Sequence, residues 1–67
     1  MGRLAVGCKD GKLLMYEISS RARIGMNEEV HDQEIISINF FDKQNQMISI
    51  DKHRQISLWD TSKFENL

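Results

Sequence analysis

The sequence predicts an all-β fold of short antiparallel strands in repeating units, and three observations lead there. Apolar runs of four to seven residues, many of them β-branched or aromatic, alternate with polar turns along most of the chain. No proline interrupts them. The same pattern of apolar, turn and aromatic-acid positions then returns 43 residues later.

Taken in order, Leu4 to Cys8 is a short apolar run ending at Lys9-Asp10-Gly11. An Asp-Gly pair between two apolar runs signals a hairpin, because both residues tolerate the positive φ of a tight turn. Lys12 to Ile18 has the Leu and Met content of a helix, but its length and its place directly after the turn favour a strand. Ala22 to Met26 reads as an edge strand with its charges outward, and Asn27-Glu28-Glu29 as loop. Ile35 to Phe41 is the clearest strand. Ile36, Ile38 and Phe40 fall on one face and Ile35, Ser37, Asn39 and Phe41 on the other, which predicts cover on both sides. After the polar turn Asp42 to Gln46 come strands at Met47 to Ile50 and Gln55 to Trp59, joined by Asp51 to Arg54.

Composition narrows the classes of function. The chain has 67 residues, 40% hydrophobic and 28% charged, which is globular and not disordered composition. At this size it buries only about 60% of its unfolded surface and is marginal alone. A net charge of −1 with no basic cluster leaves no electrostatic footprint for nucleic acid. No apolar run approaches a membrane span and no signal-peptide pattern opens the chain. Met1-Gly2 lacks the Ser or Thr that a myristoylation signal needs at position 6, where Val6 stands. The single cysteine, Cys8, cannot form an internal disulfide, so an intracellular setting, cytoplasmic or nuclear, is expected.

Placing Tyr16 over Trp59 aligns Leu4-Ala5-Val6 with Met47-Ile48-Ser49 and Leu13 to Glu17 with Ile56 to Asp60. A period of about 40–45 residues holding four short strands is the spacing of propeller blades. One such blade cannot bury both its faces alone and needs a neighbour on each side. With His31 before the Ile35 strand, Ser49 in the next and Trp59-Asp60 closing the third, the chain resembles the WD40-repeat family over about Leu4 to Lys63.

That resemblance implies an antiparallel four-stranded blade unit and a chain that is a fragment of a WD40 β-propeller. Residues 3–26 would be a partial blade holding its second to fourth strands, 27–63 the start of the next with its loop and first three strands, and 64–67 a tail. The resemblance also implies a buried hydrogen-bond network of loop His, strand Ser, turn Asp and Trp, carried over as His31, Ser49 and Trp59. The turn acid belongs six residues before the Trp, where His53 stands; Asp10 holds that place before Tyr16. Asp51 would serve only if the backbone relaxed, so a weakened clamp is expected. Without the resemblance, His31 reads as a structural histidine, because neither His53 nor Cys8 stands at metal-ligand spacing from it.

Nothing in the residues supports an enzyme. Gly7 to Lys12 misses the spacing of a phosphate loop, Asp42 to Asn45 lacks a calcium loop's ligands, and Ser19, Ser37, Ser49 and Ser57 lack a nucleophile elbow. No cofactor or metal is expected. The better candidates for contact are polar loops that a blade would gather on one face: Glu28, Glu29, Gln33, Glu34, Lys52, His53 and Arg54. The function implied is a non-enzymatic scaffold for protein–protein interaction. A propeller subunit of a ribonucleoprotein or ribosome-assembly complex, or a self-associating blade unit, are the alternatives. Partners would be other proteins, further propeller blades or further copies of the chain.

Overall fold

The computed structural model describes residues 2–67, with the backbone alone described at Asp42. It is all-β, in two antiparallel sheets whose strands lie in sequence order. Strands β1 (Arg3–Gly7), β2 (Leu13–Glu17) and β3 (Arg23–Asn27) form the first. The second holds β4 (Ile35–Phe41), β5 (Gln46–Asp51), β6 (Ile56–Asp60) and a short β7 (Glu65–Asn66). One 3-10 turn, Asp42–Gln44, joins β4 to β5.

Each sheet turns one face to the other. Leu13 and Met15 of β2 meet Met47 of β5 and Trp59 of β6, with Ile35 at the margin, and these five side chains are the buried core. Ala5, Ile38 and Phe64 pack around them. At one end the Ile35 N–H donates to the Cys8 carbonyl at 3.2 Å. At the other, the Arg3 guanidinium donates to the carbonyls of Thr61 and Ser62.

The 43-residue repeat is present in the backbone as well as in the side chains. All five residue pairs between β1 and β2 reappear, shifted by 43, as the pairs between β5 and β6. Tyr16 opposite Arg23 likewise reappears as Trp59 opposite Asn66. The left-handed residues recur too: Gly11 (φ 96°) corresponds to Arg54 (φ 66°), and Arg21 (φ 61°) to Phe64 (φ 54°). Different side chains therefore trace the same hairpins and turns.

Two expectations are corrected. Nothing among the described residues of the chain itself covers the far face of the second sheet, where Ile36 is 58% exposed and Phe41 is also exposed. A bulge between Ile35 and Ser37 breaks the simple alternation, so Ile35 and Ile38 both pack toward the core while Ile36 does not. Residues 64–67 are not a tail. The Asp60 carboxylate accepts the N–H groups of Ser62 and Lys63 and the Ser62 hydroxyl, which fastens the turn. Phe64 then stacks on Trp59, ring centres 5.2 Å apart and planes 16° from parallel, and sets Glu65–Asn66 beside β6. Gly25 makes room for it, since a Cβ there would lie 2.5 Å from the Phe64 ring.

Candidate functional site

The buried polar side chains lie between the loop before β4 and the inner face of the second sheet. Alternation along β5 sends Met47, Ser49 and Asp51 inward, each fully buried. Trp59 lies opposite Met47 on the same face. The loop brings His31 down onto this surface, where it is 2% exposed.

The four groups form one chain of donors and acceptors. Trp59 Nε1–H donates to Ser49 Oγ at 2.9 Å. The Ser49 hydroxyl donates to His31 Nε2 at 2.7 Å, and His31 Nδ1–H donates to Asp51 Oδ2 at 2.9 Å. The other Asp51 oxygen accepts the backbone N–H groups of His53 at 2.8 Å and Gln55 at 3.1 Å. The Nδ1–H tautomer of His31 is assigned from these partners. Among the described residues no buried side-chain nitrogen or oxygen lacks a partner, so the cost of taking four polar groups out of water is met in full.

Burial pushes the Asp51 carboxyl up, but hydrogen bonds from His31, Gln55 and His53 outweigh it and hold the group below the ordinary carboxylate range. Such a group binds protons less readily when folded than when unfolded. Its stabilisation is complete above the unfolded value near 3.8 and is lost as the pH falls from there through the lower folded value. Asp10 and Asp60 are shifted the same way, Asp10 first by the Lys12 N–H and Asp60 first by the Ser62 hydroxyl. The urea midpoint is therefore expected to fall below about pH 4. Asp51→Asn should be less stable at pH 7 and have a shallower acid slope. An unchanged slope would assign the acid sensitivity to Asp10 and Asp60 instead.

The order Ser49, His31, Asp51 is also that of a hydrolytic triad, with Nε2 toward the hydroxyl and Nδ1 toward the carboxylate. Burial gives it a different use here. All three groups are at most 2% exposed, and the Ser49 oxygen already accepts the Trp59 N–H. A substrate carbonyl has no approach to that oxygen. The arrangement ties a loop to a sheet.

The acid of this network is Asp51, which sequence spacing discounted. The in–out alternation of β5 continues to Asp51, opposite the β4 bulge at Ile35–Ser37, and brings the carboxylate to His31. Under the 43-residue shift Asp51 corresponds to Cys8, and Asp10 to His53. The turns agree in detail: the Gly11 N–H donates to the Cys8 carbonyl as the Arg54 N–H does to that of Asp51. Asp10 is accordingly not a member of the network. Its exposed carboxylate accepts the Lys12 N–H at 3.2 Å and pairs with the Lys12 ammonium at 3.5 Å. His53 is exposed and joins only through its backbone N–H. Because all the hydrogen bonds are made, the expectation of a weakened clamp is withdrawn.

Some of the loop residues expected at one end have contacts near the clamp. Gly11 abuts the His31 carbonyl, Lys12 reaches Glu28 at 3.8 Å, and Lys52 pairs with Glu34 at 3.3 Å. Glu28, Glu29, Lys52, His53 and Arg54 are exposed, and Gln33 and Glu34 are half-buried. At the opposite end a cleft lined by Arg3, Glu17, Phe40, Asn45 and Thr61 has its guanidinium already committed to carbonyl oxygens. Among the described residues, no three His, Cys, Asp or Glu side chains gather in a way that could hold a metal ion. No helix among them is long and apolar enough to cross a membrane. No protein-family model, curated protein or solved structure matches the chain.

Proposed function

We propose that the chain is a segment of a WD40-type β-propeller, working inside the cell as a non-enzymatic scaffold for protein–protein interaction in a multiprotein complex. The observation that carries this reading is the buried clamp of His31, Asp51, Ser49 and Trp59. It holds a charged loop rigidly against a sheet at the end where the turns around Asp10 and His53 also lie. A loop ordered before it binds loses less conformational freedom on binding. Exposed Glu28 beside Lys12, and Lys52 beside Glu34, offer both signs of charge on that end, which favours selectivity among partners over broad adhesion. Affinity capture tests it. Reversing Glu28, Glu29, Lys52 and Arg54 together should remove bound proteins without altering the fold, since their side chains are exposed. An unchanged set of partners would sink the scaffold reading for this face.

A further inference from the structure

We infer that the chain binds further copies of itself head to tail, the outer face of its second sheet seating on the outer face of the first sheet of the next copy. Both faces are apolar and in register. On the first sheet Leu4 lies opposite Tyr16, Val6 opposite Leu14, and Leu14 opposite Met26. On the second, Ile48 lies opposite Leu58 and Ile50 opposite Ile56. Leu4 is 52% exposed and Ile56 67% exposed. Singly scattered apolar residues are ordinary on a surface, whereas aliphatic side chains grouped on one face mark an interaction site.

What identifies the occupant is the repeat. Inside the chain, Leu13 and Met15 of the first sheet are buried against Met47 and Trp59 of the second. Shifted by 43 residues, Leu13 becomes Ile56 and Met15 becomes Leu58, on the open face of the second sheet. In the other direction, Met47 corresponds to Leu4 and Trp59 to Tyr16, on the open face of the first. The two open faces are thus the two halves of the junction already formed within the chain. Because the strand pairing is the same in both sheets, their backbones present these positions alike. A like-on-like dimer would join faces that do not meet anywhere in the molecule. Arg23, opposite Tyr16, stands on an edge strand of its sheet, where a long side chain can keep its charge in water.

A head-to-tail contact closes into a ring or runs on as a filament. Rings of about four to eight sheets, at two per copy, correspond to about two to four copies. The ring count rests on the propeller reading of the two sheets, whereas the charge reversal tests the loop end and the measurements below test the sheet faces, so the two can fail separately.

Light scattering on the 67-residue chain should give a mass of about two to four copies, with a urea midpoint that rises with protein concentration. A monomer whose midpoint is independent of concentration overturns the inference. Leu4→Lys blocks one face and Ile56→Lys the other, both at exposed positions outside the core. Each variant alone should be monomeric, and the two mixed should form a one-to-one pair. If either variant still dimerises alone, the contact is like-on-like and the inference fails. Circular dichroism confirms that the variants are folded. Should one not fold, the concentration series on the unaltered chain decides.

Discussion

Trp59→Ala is expected to remove a large share of the stability of the chain. The side chain is completely buried, so its removal costs about 3–5 kcal/mol in lost transfer and cavity terms. A chain of 67 residues has roughly 3–10 kcal/mol in total. The loss spreads beyond the cavity, because Phe64 stacks on the indole and β7 follows Phe64. Trp59→Phe separates the two contributions. It keeps a ring for Phe64 but removes the N–H to Ser49, and should cost about 1–3 kcal/mol. Urea titration followed by circular dichroism checks both, and equal losses in the two variants would show that the ring contributes little beyond its hydrogen bond.

The second large effect is expected at Gly11. Its φ of 96° is one that L side chains rarely adopt, and a Cβ there would run into the His31 backbone carbonyl. Strain and collision together should cost Gly11→Ala about 2–5 kcal/mol. The damage should extend to the clamp, because the collision pushes on the residue that carries the imidazole. The equivalent position in the second repeat gives the opposite sign. Arg54 holds φ 66° with an exposed side chain, and Arg54→Gly should relieve up to about 1 kcal/mol of strain. A destabilising Arg54→Gly would mean that its side chain contributes more than its backbone strain costs.

Much of the fold was legible because the strands are short and punctuated. The strand from Ile35 to Phe41 has the expected bounds, and the other five predicted strands lie within a residue or two of theirs. His31, Ser49 and Trp59 were legible as a group, and the structure brings them together. Asp51 was passed over because a spacing of six residues before the tryptophan pointed at His53. Strand alternation from Ser49 was the signal that could have found it. The bulge at Ile35–Ser37 leaves no mark in an unbroken apolar run, so the facing of Ile36 was misread. Strand β7 was invisible for a different reason: Glu65 and Asn66 have no β preference, and a turn and a stacked ring place them.

Every proton in the clamp points the same way, from the indole through the hydroxyl and imidazole to the carboxylate. These partners assign the hydrogen of the His31 ring to Nδ1 and leave Nε2 as the acceptor. In nitrogen-15 spectra its two ring signals should stand far apart, and the Nδ1 hydrogen should exchange with solvent only when the loop lifts. His31 is thus a built-in reporter of whether the charged loop is seated, readable in the unaltered protein.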